Sequence, residues 1–122
     1  MFEVTTESSF SAAHHLKNYG VPCENTHGHN WLVKATVKCE KLNEIGIGID
    51  FRKLRSSLQA ITEELDHTDL NDIFDRLDLN PSSENIARYI FKKLSAALGD
   101  SEEKVARIDV MESPGSSAAY YE

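Results

Sequence analysis

Apolar residues fall at alternate positions in the first part of the chain, the period of a strand with one buried face. Phe2, Val4, Phe10, Ala12 and His14 share one parity, and His15 points the other way, so a strand is predicted over 2–14. A second run, 28–39, alternates more strictly. Trp31, Val33, Ala35, Val37 and Cys39 lie on its buried side, opposite Leu32, Lys34, Thr36 and Lys38. Between the two, Leu16–Glu24 carries Asn18, Gly20 and Pro22 and reads as a loop. The two strands are thus expected to form an antiparallel pair. A turn region follows at Asn43–Gly48.

The period then changes to that of a helix. Phe51, Leu54, Leu58, Ile61 and Leu65 make one apolar stripe behind a good N-cap, Asp50, and predict a helix over 51–65. Asp72–Asn80 is acidic and reads as irregular. Ser82 caps a second helix, with Glu84 at its positive end, Ile86, Ile90, Leu94, Ala97 and Leu98 inward, and Gly99 as its stop. Alternation returns over Lys104–Glu112, where Ile108, Val110 and Glu112 share a face. Pro114 and Gly115 turn the chain into a last strand at Ser116–Tyr121. The order ββααββ predicts an α+β layer, two helices on one face of a four-stranded antiparallel sheet. The length of 122 residues corresponds to one domain, 1–122.

Composition narrows the function. A net charge of −7 argues against a general nucleic-acid binder, although local cations or a metal can still hold an anionic substrate. Two cysteines, Cys23 and Cys39, are too few for a disulfide scaffold and fit a reduced, cytoplasmic setting. The start, Met-Phe-Glu-Val-Thr, lacks a basic segment followed by a long apolar one. No signal peptide and no membrane span are expected.

The chemistry concentrates in Cys23-Glu24-Asn25-Thr26-His27-Gly28-His29-Asn30. His27 and His29 project side by side on the face of their strand that reads as buried, where unpartnered polar groups are costly. His14 lies on the inner face of the neighbouring strand. Three imidazoles there would make a His₃ site for Zn²⁺ with an open coordination position; the plain alternative is a buried, hydrogen-bonded histidine and two exposed ones. Cys23, in the loop, reads as a nucleophile, a proton-transfer base, a fourth zinc ligand or an inert thiol. Cys39 belongs to the core. Asp66-His67 ends the first helix, with the imidazole either an acid/base group or a cationic helix cap. Glu112, a carboxylate on an inner face, suits a planar partner with two N–H donors, unless it is solvated or paired with a cation.

These elements together resemble the 6-pyruvoyl-tetrahydropterin synthase / 6-carboxytetrahydropterin synthase family. The resemblance rests on Phe10-Ser-Ala-Ala-His14, Cys23-x₃-His27-Gly28-His29-Asn30, Ile49-Asp50-Phe51, Leu65-Asp66-His67, Pro81-Ser82-Ser83-Glu84-Asn85 and Glu112. It implies the tunnelling fold, assembled as a homo-oligomer, with trimers closing a barrel and pairing into a hexamer. It also implies His14, His27 and His29 as zinc ligands, and Cys23, Asp66 and His67 as the catalytic group. Glu112 becomes the anchor of the pterin ring, with Ser82 and Ser83 in the pterin pocket. The implied substrate is 7,8-dihydroneopterin triphosphate. The short Cys-x₃-His-Gly-His spacing is similar to the bacterial branch that makes 6-carboxytetrahydropterin for queuosine synthesis and releases triphosphate and acetaldehyde. Animal-type pyruvoyl synthases resemble Cys-x₅-His-Gly-His. Glu24, directly after Cys23, resembles family members that cleave the side chain to 6-hydroxymethyl-dihydropterin. A zinc-stabilised oligomer that binds a pterin without turnover is the non-enzyme alternative.

Overall fold

A computed structural model describes residues 1–18 and 25–122. Cys23 and Glu24 lie outside the described residues. The elements run β1 (Phe2–His14), β2 (His27–Cys39), α1 (Phe51–Leu65), β3 (Thr68–Asp69), α2 (Leu70–Phe74), α3 (Ser83–Leu98), β4 (Lys104–Ser113) and β5 (Ser116–Tyr120), with a 3₁₀ turn at Asp75–Leu77. The sheet order is β3-β1-β2-β4-β5. Its four long strands are antiparallel, as the alternation predicts. The fifth, β3, adds two residues parallel to β1, pairing Ala12 with Thr68 and Ala13 with Asp69.

The inner face of the sheet is the apolar parity read from the sequence. Phe10, Trp31, Val33, Ala35, Val37, Ile108 and Val110 are buried there, under Leu54, Leu58, Ile61 and Leu65 of α1 and Ile86, Ile90, Phe91 and Leu94 of α3. Burial of these side chains, at roughly 25 cal/mol per Å² of apolar surface, is the main force holding helices to sheet. Both helix caps predicted from sequence are made. Asp50 accepts from Arg52 N–H, and Ser82 accepts from Asn85 N–H.

Three expectations need correction. Phe51 leaves the stripe and is 61% exposed, because as the first residue of α1 it precedes the turn that packs on the sheet. Ala97 is exposed, and Leu98, half-buried, makes the last contact of α3 with the core. Asp72–Asn80 is partly ordered. Asp69 caps the short α2, and Phe74 is fully buried with its ring against Tyr89. Phe74, with Ile73 and Leu79 half-buried against the same core, follows neither the helical nor the strand period, which is why the pattern missed it.

Candidate metal centre and active site

β1 and β2 pair along their full length, and the last rung sets His14 directly opposite His27. Partners in an antiparallel pair share a face, so both imidazoles point to the inner side, with His29 two residues on. His14 is 1% exposed, while His27 and His29 are half-buried. Glu112 reaches the same spot from β4, beside a register shift between Met111 and Ser113. Bulges of this kind re-aim side chains at strand ends. One ligand atom from each of His14, His27, His29 and Glu112 lies within 4.8 Å of the others.

The hydrogen bonds fix which nitrogens face inward. His14 Nδ1 donates to the Pro81 carbonyl at 2.8 Å, and His27 Nδ1 donates to the Asn25 carbonyl at 2.7 Å. A carbonyl only accepts, so each Nδ1 carries the proton and each Nε2 keeps its lone pair in the neutral ring. Those two Nε2 atoms face each other at 3.0 Å. Two lone pairs at that distance repel unless a proton or a cation sits between them. Burial, first of all, lowers the pKa of His14 below its ordinary value. The neighbouring His27 and His29 lower it further, against the Pro81 hydrogen bond and Glu112, which raise it. The neutral ring is therefore the favoured form. His29 Nε2 lies 3.0 Å from Glu112 Oε1, but the approach lacks hydrogen-bonding geometry. This buried nitrogen has no hydrogen-bond partner among the described residues. Two imidazole lone pairs, a third ring nitrogen without a hydrogen-bond partner, and a carboxylate converge on one point. The three ring nitrogens fit a divalent metal ion, and Glu112 stands beside them as a carboxylate that a substrate group can occupy.

Trp31 forms the floor. It is fully buried, stacks on Phe10 at 5.9 Å, and meets the rings of His14 and His29 edge-on at 4.9 and 5.3 Å. Its indole N–H donates to the Ala12 carbonyl at 3.2 Å. On the opposite rim, the Ser83 hydroxyl donates to Glu112 Oε2 at 3.3 Å. Ser82 is occupied as the cap of α3.

Asp66 and His67 stand apart from this cluster. No hydrogen bond or ion pair among the described residues joins them to it. Asp66 Oδ1 accepts from Ser11 N–H at 2.8 Å, and its Oδ2 lies 2.9 Å from His67 Nδ1. The Ser11 N–H, then His67, hold the Asp66 carboxyl below its usual pKa, so it stays ionised at neutral pH. The imidazole is 83% exposed and pairs with Asp66 rather than with helix carbonyls, which sets aside the helix-cap reading. His67 adopts φ +57°, a left-handed conformation held by its N–H to the Ser11 carbonyl at 2.6 Å. A bulky residue in that region costs about 1–2 kcal/mol. The structure retains it at a position that presents an ionised carboxylate and an imidazole together.

Sequence reasoning missed the Pro81 carbonyl, the Trp31 floor and the two side chains Asn71 and Asn80 that fasten the end of β1. An Asn-Pro dipeptide ahead of a helix cap was the available signal for the last of these.

The model of the 6-pyruvoyl tetrahydropterin synthase family matches residues 3–122, and the chain belongs to that family. It is 34% identical to a 6-carboxy-5,6,7,8-tetrahydropterin synthase of Synechocystis, over 99% of this chain and 94% of the relative. It is also 34% identical to a dihydroneopterin monophosphate aldolase of Pyrococcus furiosus, over 86% and 84% of the two chains. The fold superposes on the 6-pyruvoyl tetrahydropterin synthase of Caenorhabditis elegans with a TM-score of 0.82 at 28% identity, covering 100% of this chain and 97% of that one. Among the described residues, no helix is long and apolar enough to cross a membrane.

Proposed function

We propose that this chain is a zinc-dependent lyase that converts 7,8-dihydroneopterin triphosphate to 6-carboxy-5,6,7,8-tetrahydropterin, releasing triphosphate and acetaldehyde, in the service of 7-deazaguanine synthesis. The observation that carries the reading is the convergence of His14, His27, His29 and Glu112. The name of the Synechocystis relative supports the choice of product. An imidazole-rich donor set suits Zn²⁺. Bound there, the ion supplies Lewis acidity toward the side-chain hydroxyls of the substrate.

The chain's own residues do the rest. Glu112 accepts the amino and ring N–H groups of the pterin, with Oε2 oriented by Ser83. Ser82 holds the start of α3, and with it Ser83, beside the ring. Cys23, as a thiolate, takes a carbon-bound proton from the side chain. His67, oriented through Nδ1 by Asp66, carries protons to and from it. The ring gains the two hydrogens the side chain gives up, and one water is taken up where the carbon–carbon bond breaks, its oxygen ending in the new carboxyl group, so the conversion needs no outside oxidant. The outward-facing Asp66–His67 pair is suited to serve a substrate held by a neighbouring copy in a homo-oligomer, a trimer paired into a hexamer.

A second reading rests on Glu24 together with the Pyrococcus furiosus relative. There Glu24 is the base that takes a side-chain hydroxyl proton, and the carbon–carbon bond is cleaved to leave 6-hydroxymethyl-dihydropterin and a two-carbon aldehyde that carries the triphosphate. Mass spectrometry of products from zinc-loaded protein and 7,8-dihydroneopterin triphosphate separates the two. Carboxytetrahydropterin with acetaldehyde, lost in Cys23→Ala, is the expected result. Hydroxymethyl-dihydropterin that persists in Cys23→Ala and disappears in Glu24→Gln establishes the second reading. A pyruvoyl product overturns the branch while keeping the site. No turnover with zinc bound leaves a pterin-binding oligomer.

A further inference from the structure

The backbone pairing of β1 stops at His14, but its hydrogen-bond ladder does not. Alternate residues of a strand turn both N–H and C=O toward the same edge. On β1 the odd-numbered residues turn them toward the segment 66–80. Ser11 is held there by Asp66 and His67, and Ala13 by the β3 rung. Beyond the strand end, two side chains replace the missing partner strand. Asn71 Oδ1 accepts from His15 N–H at 2.9 Å, and its Nδ2 donates to the His15 carbonyl at 3.0 Å. Asn80 Oδ1 accepts from Lys17 N–H at 2.9 Å, and its Nδ2 donates to the Lys17 carbonyl at 3.1 Å. A primary amide carries one acceptor and one donor group, the same pair that a backbone rung offers. Each asparagine therefore acts as one rung of a strand that is not there.

The placement of these rungs concerns the metal centre. Asn71 is 3% exposed and pins the residue directly after His14. Asn80 directly precedes Pro81, whose carbonyl accepts the hydrogen bond from His14 Nδ1–H. The Asn80 backbone carbonyl is itself held by Asn85 Nδ2 at 2.9 Å. Proline fixes its own φ, so the Asn80 clamp on Lys17 sets where the Pro81 carbonyl stands relative to β1. One clamp fixes the backbone that carries His14, and the other fixes the acceptor that chooses its tautomer.

We propose that Asn71 and Asn80 are positioning residues of the metal centre, which hold the Nε2 lone pair of His14 aimed at the ion. The proposal rests on the reading of His14 as a ligand given above. Partners one layer out from a metal typically contribute about 10–100-fold in affinity.

The test uses the full chain, with Co²⁺ as the probe. In the ion-free wild type, the imidazole ¹⁵N shifts of His14 are expected to show the Nδ1–H tautomer. In Asn80→Ala, at a half-buried position, they shift toward a mixture of tautomers, and Co²⁺ affinity falls about 10-fold or more with a changed visible spectrum. Asn80→Asp keeps the acceptor for Lys17 N–H and loses the donor, so its affinity falls between the two. Asn71→Ala acts in the same direction. Should that buried substitution prevent folding, the Asn80 pair decides the matter alone. A His14 tautomer and a Co²⁺ affinity within two-fold of wild type in Asn80→Ala overturn the proposal. So does a wild type that binds no Co²⁺. Co²⁺ affinity that depends on Asn80, in a protein that leaves the pterin triphosphate unchanged, supports the clamp and overturns only the proposed reaction.

Discussion

Replacing His27 with alanine is expected to remove divalent-metal binding while leaving the fold in place. The ring is half-buried, and its neighbours are the other imidazoles and the Asn25 carbonyl rather than the apolar core. The backbone rung opposite His14 does not depend on the side chain. With His27 gone, two imidazole ligands remain, and the loss of a direct ligand exceeds the ~10–100-fold that an outer partner contributes. Metal analysis after dialysis should fall from about one ion per chain to under about a tenth of that, with circular dichroism unchanged. His67→Ala is the control, because its exposed ring pairs with Asp66 and no hydrogen bond or ion pair among the described residues joins it to the cluster. If both variants keep their metal, or both lose it, the His14–His27–His29 centre is not what holds the ion.

Trp31→Ala is expected to have the largest effect on stability. The side chain is fully buried, stacked on Phe10, and its removal also leaves the Ala12 carbonyl without the indole donor. Large-to-small changes of this kind cost about 3–5 kcal/mol, against a total stability of about 5–15 kcal/mol for a domain. Trp31→Phe keeps most of the ring and loses the hydrogen bond, at roughly 1–3 kcal/mol. Urea unfolding of the ion-free protein measures both. The midpoint should drop in the order wild type, Phe, Ala. A Phe variant as unstable as Ala would mean that the N–H bond to Ala12 matters more than the packing. The floor also sets the His14 and His29 rings, so the Ala variant should bind metal more weakly even where it is still folded.

How much of this was legible in the sequence follows from what each feature depends on. Three of the four long strands and the two long helices were readable, because each buries one face and the buried positions repeat at the element's own period; the last strand has no buried residue and was readable from the Pro114-Gly115 turn ahead of it. The convergence of His14, His27 and His29 was readable for the same reason. Parity along two strands fixes the face, and an antiparallel pair brings the loop ends together. Glu112 followed from its parity with Ile108 and Val110. Features made by single contacts left no period to read. The two-residue β3, the buried Phe74, the Pro81 carbonyl and the amide clamps of Asn71 and Asn80 each depend on a chain segment far away in sequence. Phe51 and Ala97 satisfied the helical period and still lie outside the core, because the period says which face of a helix is apolar and not what covers its first and last turns. The pairing of Asp66 with His67 was visible as a dipeptide, but its hold on Ser11 was not.

The meeting of His14 and His27 on the final rung bears on how the chain folds. Three of the four side chains of the cluster come from the two mouths of one connection, so bringing them together requires closing a single short loop. Such closures take on the order of 10–100 ns, long before helices dock across a sheet. An ion shared between the mouths would act on the unfolded chain as a reversible cross-link, removing part of the entropy that closure costs. The ion should then speed refolding in stopped-flow measurements, where a ligand seated only in the finished protein would instead slow unfolding. A folding limb that Co²⁺ leaves unmoved would place the hairpin after the rate-limiting step. An accelerated one would make this centre a place where folding begins.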